Sequence, residues 1–206
     1  PEMSLEVTSP GGQVHGGMGF IEQTGAAQYY RDAKILTIYE GTTAIQANDL
    51  VGRKTARDGG ATAKAIVAQI EKTESALAER TSVAARAVLK RLTTARKALI
   101  EVIDFVAGNT KAAPNAVFAG SVPYLMLAGN LVAGWQLARA LLVAEDQLAK
   151  GEGDAAFLRA KLATAHFYAD HVLSKLPGMR DSIVDGADSV TALALAWRDS
   201  DARRAA

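Results

Sequence analysis

The chain has 206 residues, of which 49% are hydrophobic and 22% are charged, with a formal net charge of +1. This apolar content excludes a wholly disordered chain, and the small net charge excludes a strongly basic nucleic-acid binder. The chain has no cysteine, which excludes disulfides, thiolate nucleophiles and cysteine-based metal sites. We expect no nucleic-acid partner and a cytoplasmic location, with which the lack of cysteine is compatible.

Glycine and alanine divide the chain into two parts. Eight glycines lie before residue 57, whereas most of the 41 alanines lie after it. A glycine-centred break at residues 57–61 separates the parts. We therefore predict one domain over residues 1–58 and a second over residues 61–200.

The second part has the hydrophobic spacing of long amphipathic helices. Short connections between such helices favour antiparallel packing. The predicted fold class is all-α, an up-and-down helical bundle preceded by a shorter helical segment. The predicted helices cover residues 61–80, 82–108, 115–150, 153–175 and, as a shorter piece, 186–198.

The third predicted helix requires a membrane test. Residues 112–138 carry no charge, and this run is long enough to cross a bilayer. Three polar amides, two prolines, three glycines and a high alanine content weaken the insertion energy. We predict a buried bundle helix and no membrane span.

The histidines of the bundle do not form a predicted metal site. His166 and His171 are five residues apart, about 140° around a helix, and cannot face one ion. His166 and Asp170 share a helix face, where such a pair is usually solvated. We predict no metal site in this chain.

The first sixty residues contain three short motifs in order. Gln13–Phe20 is a glycine-rich turn, Arg31–Ile35 reads R-D-A-K-I, and Ile38–Gln46 contains Y-E-G-T followed by I-Q. The turn alone is typical of a connection between two helices, because neither a phosphate-loop lysine nor a preceding strand accompanies it. Together, at this spacing, the motifs resemble the C-terminal catalytic segment of the flavin-dependent acyl-CoA dehydrogenases, over residues 4–56.

This resemblance implies an oxidoreductase that removes hydrogen from the α and β carbons of an acyl-CoA thioester and transfers a hydride to FAD. Glu40 matches the catalytic base of the family, whose pKa must be raised by burial to suit proton abstraction. Arg31 and Asp32 match a pair that we interpret as structural. The remaining implied positions are cofactor contacts at Gln13, Gly16, Gly17 and Thr42, and substrate contacts at Tyr39 and Gly41.

The resemblance also implies partners. It predicts FAD as cofactor, an acyl-CoA substrate, electron-transfer flavoprotein or a similar electron acceptor, and a homo-oligomer in which the glycine turn reaches a neighbour's cofactor. The bundle after residue 61 resembles the extra helical domain of larger family members. A fragment without the domains that build most of the flavin site is expected to be inactive.

Two departures from the family pattern stand out. Ala44 occupies a position where some members have a glutamine near FAD. Pro10-Gly11-Gly12 is expected to interrupt the helix that precedes Gln13. The alternative interpretation of the whole chain is a non-catalytic α-helical module for oligomerisation that has kept the motif without its chemistry.

Overall fold

A computed structural model describes residues 1–39, 41–190 and 192. Within these residues every regular element is helical, so the all-α prediction is confirmed. The chain divides into two compact units, Pro1–Asp49 and Leu50–Ala206. The helices are α1 Glu2–Val14, α2 Ala26–Ile35, α3 Thr43–Asp49, α4 Ala61–Ala78, α5 Val83–Asn109, α6 Pro114–Ala119, α7 Ser121–Lys150, α8 Ala155–His171 and α9 Leu176–Val184.

Helix ends in the second unit follow local rules. The Ser82 hydroxyl accepts a hydrogen bond from the backbone N–H of Ala85 at 3.0 Å and caps α5, satisfying a donor that the helix itself leaves free. Asp154 caps α8 in the same way. Gly151 ends α7 with a φ of +69°, a conformation that glycine adopts without steric cost.

Side-chain bonds show the direction of the long helices. Lys64 pairs with Asp104 and Glu74 with Arg96, so α4 and α5 run antiparallel. Trp135 donates to Thr73, and Arg80 pairs with Asp146, so α7 runs parallel to α4. Tyr168, near the end of α8, donates to the backbone oxygen of Asn130 in the first half of α7, whereas Leu158, near the start of α8, lies beside Gln147 near the end of α7, which makes α8 antiparallel to α7. The four helices thus alternate in direction, as an up-and-down bundle requires.

The core of the second unit lies between these helices. Its largest fully buried aliphatic residues come from all of the long helices except α8, and from the segments on either side of the bundle. Burying each of them contributes roughly 1.5–3 kcal/mol before conformational entropy is subtracted. They are Val51, Ile70, Leu77, Leu92, Ile103, Leu127, Leu131, Leu141, Leu173, Leu176 and Ile183.

Three predictions about where helices end or are interrupted are wrong, and a proline explains the first. The predicted helix 115–150 is two helices that break at Gly120, because Pro123 in the first turn of α7 cannot accommodate the carbonyl group of residue 119. The predicted helix 153–175 ends at His171, and Pro177 begins α9 instead of ending α8. Conversely, α1 continues through Pro10. Pro10 has no N–H to donate to the carbonyl group of Glu6. Because Glu6 is exposed, water can take the place of that donor.

Two further predictions meet the limits of the described residues. Of the predicted piece 186–198, residues 187–190 and 192 are helical, and the other positions beyond 190 lie outside the description.

Within the described part, α7 alone has the length and apolar composition to cross a membrane. It also supplies Tyr124, Leu127, Leu131 and Leu141 to the core, as the core helix of a bundle does. The absence of a membrane span stays a prediction.

Candidate active site

The glycine-rich turn joins α1 to α2 through two short 3-10 turns, Gly16–Gly19 and Glu22–Thr24. Gly16 has a φ of +59°, in the left-handed region that side chains rarely adopt. Gly19 is buried, and a Cβ atom there would lie 2.0 Å from the carbonyl oxygen of Gly12. The turn therefore requires glycine for two different reasons, backbone conformation at one position and close approach to α1 at the other.

A cleft of about 480 Å³ opens between α1, the glycine turn and α2. Two predicted cofactor residues, Gln13 and Gly16, line it together with Tyr30 and Arg31, whereas Gly17 does not. The Gln13 side chain is exposed and makes no hydrogen bond to any residue that the structure describes. Its amide can therefore donate to and accept from a ligand in the cleft.

Arg31 is held by an ion pair. Its Nη2 atom lies 2.9 Å from Oε1 of Glu22, and both side chains are more than half exposed. An exposed pair of this kind contributes little to stability. The partner of Arg31 is thus Glu22, on the turn before α2, and not the adjacent Asp32 of the predicted structural pair.

The second part of the site is the turn before α3. Gly41 has a φ of +80°, which again favours glycine. Thr42 caps α3: its hydroxyl accepts from the N–H of Ile45 at 3.4 Å, and its carbonyl oxygen accepts from the N–H of Gln46 at 3.0 Å. The Thr42 hydroxyl keeps its own proton to donate to a ligand. Tyr39 precedes the turn with its side chain 57% exposed, and the predicted base Glu40 lies outside the described residues.

Two side chains that sequence reasoning missed support this turn. The Nε2 atom of Gln46 lies 2.8 Å from the point that a Cβ on Gly41 would occupy. This contact arises because helical side chains point back towards the N-terminus. Glu2, the first residue of α1, accepts a hydrogen bond from the Thr43 hydroxyl, with 2.5 Å between Oε1 and Oγ1. The i, i+4 spacing of Thr42 and Gln46 could have indicated from the sequence that Gln46 lies next to this turn. Nothing in the local sequence links Glu2 to Thr43.

The histidines of the second unit lie elsewhere. His166 Nε2 is 3.3 Å from Oδ2 of Asp170, whose other oxygen accepts from Arg91 at 3.0 Å. The hydrogen bond from Arg91 lowers the pKa of Asp170. His171 stacks on Phe167. Within residues 1–39, 41–190 and 192, no three histidine, aspartate or glutamate side chains cluster as a metal site would require.

Comparison with family models places this geometry in a class of enzymes. Residues 63–194 match the family described as "Acetyl-CoA dehydrogenase C-terminal like", and residues 1–54 match "Acyl-CoA dehydrogenase, C-terminal domain". The chain belongs to the acyl-CoA dehydrogenase family, and it corresponds to the C-terminal part of such proteins. The predicted resemblance is confirmed. The two matches leave residues 55–62 between them, and the predicted domain boundary at 58–61 stays a prediction.

Three relatives illustrate the similarity. The 3-methylmercaptopropionyl-CoA dehydrogenase of Ruegeria pomeroyi is 52% identical over 94% of this chain and 33% of its own length. The broad-specificity linear acyl-CoA dehydrogenase FadE5 of Mycobacterium tuberculosis is 36% identical over 83% of this chain and 29% of its own length. The caffeyl-CoA reductase-Etf complex subunit CarC of Acetobacterium woodii is 40% identical over 22% of this chain and 12% of its own length. The chain thus spans about a third of the length of the first two.

Proposed function

We propose that this chain is the C-terminal part of an FAD-dependent acyl-CoA dehydrogenase in which Glu40 removes the α-proton of the substrate. The observation that carries the proposal is the sequence Tyr39-Glu40-Gly41-Thr42 at the start of α3, in a chain of this family. When bound, FAD would supply the acceptor for the hydride that leaves the β-carbon. The Glu40 carboxylate takes up the α-proton, which balances the reaction.

The residues of the first unit fit FAD. The cleft beside the glycine turn is lined by exposed backbone at Gly16 and by the free amide of Gln13, and its aromatic and polar lining suits a ligand with rings and hydroxyl groups. We assign Gln13 and Gly16 to that ligand, and Gly17, which does not line the cleft, is assigned to FAD on the resemblance alone. Thr42, whose hydroxyl can still donate, is assigned to FAD from the other turn. Tyr39 and Gly41 are assigned to the acyl-CoA substrate.

The proposed substrate is a short acyl-CoA. The relative named for 3-methylmercaptopropionyl-CoA, at 52% identity, makes that thioether the first compound to test, with butyryl-CoA beside it. The proposed electron acceptor is electron-transfer flavoprotein, and a relative named for an Etf complex supports it. Activity is proposed for the full-length enzyme and not for these residues alone.

A homo-oligomer is proposed as well. Val14 and Phe20, on either side of the glycine turn, are 87% and 88% exposed in the single chain. These two apolar side chains flank the turn that the resemblance places against a neighbouring subunit's cofactor. Light scattering of the full-length enzyme tests this part, and a monomer at micromolar concentration would contradict it.

The base assignment is tested by Glu40→Gln in the full-length enzyme. The variant keeps the shape of the side chain but cannot accept a proton, so flavin reduction by acyl-CoA should slow by about 10²–10⁴-fold. FAD content should not change. Glu22→Gln is the matched control, because Glu22 is an exposed carboxylate just after the glycine turn, and its rate should stay near that of the parent. Unchanged flavin reduction in Glu40→Gln would refute the assignment, and the non-catalytic module would then be favoured.

A further inference from the structure

The described residues on either side of position 40 are each hydrogen-bonded to a helix. On its N-terminal side, the N–H of Tyr39 donates to the carbonyl oxygen of Ile35 at 3.2 Å, which holds Tyr39 to the end of α2. On its C-terminal side, Thr43 begins α3 and donates its hydroxyl proton to Glu2. The bond between Thr43 and Glu2 joins residues 41 positions apart. Glu2 lies on a different helix, α1.

The bond between Glu2 and Thr43 ties two helices of the first unit together. Its 2.5 Å separation between Oε1 and Oγ1 is within the range of hydrogen bonds between two oxygen atoms. Both residues are partly buried, which reduces competition from water. The bond therefore fixes the first residue of α3 to α1.

We infer that Glu2 is a positioning residue for the reaction, acting through Thr43 to hold the described residues that follow position 40, Gly41 and Thr42, in place. This inference rests on the proposed function. We assign Glu2 no contact with the reacting atoms. Its role is to fix the start of α3, three residues along the chain from the proposed base. Misplacing a catalytic group by about 1 Å can cost 10²-fold in rate.

The variants are Glu2→Ala and Thr43→Val, each of which removes one partner of the bond, and Thr43→Ser, which keeps the hydroxyl. Glu6→Ala is the matched control, because Glu6 lies one turn further along α1 and is exposed. Single-turnover flavin reduction in the full-length enzyme gives two readings. The amplitude counts folded, FAD-loaded enzyme, and the rate constant at saturating acyl-CoA reports how well the base is placed.

We expect the rate constant to fall by about 10- to 100-fold in Glu2→Ala and in Thr43→Val, with the amplitude preserved. Thr43→Ser and Glu6→Ala should keep the parent rate. The double variant Glu2→Ala/Thr43→Val should be no slower than the slower single variant, because both changes break one bond. Hydrogen exchange of backbone amides 42–46 should be faster in the two single variants and unchanged in Glu6→Ala, independently of activity.

The inference is overturned if Glu2→Ala reduces flavin as fast as Glu6→Ala, or if Thr43→Ser is as slow as Thr43→Val. Loss of amplitude at an unchanged rate constant also overturns it, because the bond would then hold the fold and not the turn. Glu40→Gln in the same assay separates the two proposals. A slow Glu40→Gln beside a normal Glu2→Ala removes this inference alone, whereas a normal Glu40→Gln removes the base assignment.

Discussion

The hydroxyl groups of Thr55 and Tyr124 lie 2.9 Å apart inside the second unit, where neither residue is more than 1% exposed. Thr55 ends the π-helical segment Leu50–Thr55, and Tyr124 lies in the first turns of α7, 69 residues later. Burial raises the pKa of the Tyr124 phenol, and the bond with Thr55 works in the opposite direction. The two hydroxyls satisfy each other in a place that water does not reach.

Removing one of these hydroxyls should destabilise the protein. Tyr124→Phe leaves the Thr55 hydroxyl buried without its partner, which costs about 1–3 kcal/mol. Thr55→Val should have a similar effect on the Tyr124 hydroxyl. The double variant should lose less than the sum of the two, since neither group is then left unpaired. Urea unfolding followed by circular dichroism measures all three, and strictly additive losses would contradict the coupling.

The second unit should fold alone, but its starting residue should matter. A segment of residues 50–206 keeps Val51 and Thr55, which are fully buried in the core. A segment of residues 60–206 loses both and leaves the Tyr124 hydroxyl without Thr55. Deletion of the Val51 side chain alone should cost roughly 1.5 kcal/mol or more. We expect both segments to be helical by circular dichroism and the longer one to melt at the higher temperature.

Two glycines of α7 should respond oppositely to alanine. A Cβ atom on Gly134 would meet the side chain of Leu173 at 2.7 Å, whereas a Cβ on Gly129 would meet nothing within 4 Å. Gly134→Ala should therefore destabilise by about 1–3 kcal/mol through overpacking. Gly129→Ala should stabilise by up to about 1 kcal/mol through helix propensity. Thermal unfolding compares the pair, and equal midpoints would contradict the close packing at Gly134.

Acid should remove the contribution of Asp146. The hydrogen bond from Arg80, 2.7 Å long, lowers the pKa of Asp146 below its ordinary value of 3.8. Because the folded-state pKa is the lower one, the stabilisation is fully present above the unfolded-state pKa and is lost as pH falls through the folded-state pKa.

Asp146→Asn should consequently be less stable than the parent at pH 6, and the two should converge as pH falls below 3.8. Glu152→Asn is a control at an exposed carboxylate with no ion-pair partner among the described side chains. Denaturant midpoints across pH 2–7 give the comparison. A difference that persists unchanged at the lowest pH would show that the pair is not ionic.

Gly41 should not tolerate a side chain. Its φ of +80° places any other residue under a strain of about 1–3 kcal/mol, and a Cβ atom would also meet Nε2 of Gln46 at 2.8 Å. We expect Gly41→Ala to slow flavin reduction in the full-length enzyme by about 10²-fold. Gln46→Ala in the same background should restore part of the rate, because it removes the contact but not the backbone strain. Gly11→Ala, in open space on α1, is the control.

Elements with local signals were predictable, and elements set by distant contacts were not. The prediction of a helix over 82–108 lies within one residue of Val83–Asn109, because a serine cap and a regular apolar stripe define that helix by themselves. The predicted continuous helix over 115–150 failed at Gly120, although Pro123 was a local signal for that break. No local pattern showed that Gly120 lies against Ile183 of α9, where a Cβ on Gly120 would be 2.9 Å away.

The candidate site likewise has a part that the sequence indicated and a part that it did not. The order of the glycine turn, the R-D-A-K-I segment and the Y-E-G-T turn is a property of the sequence, and it was enough to identify the family and to select Glu40, Gln13 and Thr42. The sequence did not indicate Glu2. No local pattern links Glu2 to Thr43, which lies 41 positions further along the chain.

What the sequence by itself determined is the helical class and the family, because helix propensity, apolar spacing and motif order act over a few neighbouring positions. What the tertiary structure decided is which distant groups meet: Glu2 with Thr43, Thr55 with Tyr124, and Gly134 with Leu173. Each of these contacts joins residues at least 39 positions apart. Their partners are selected by packing of whole helices, a cooperative result that no local pattern encodes.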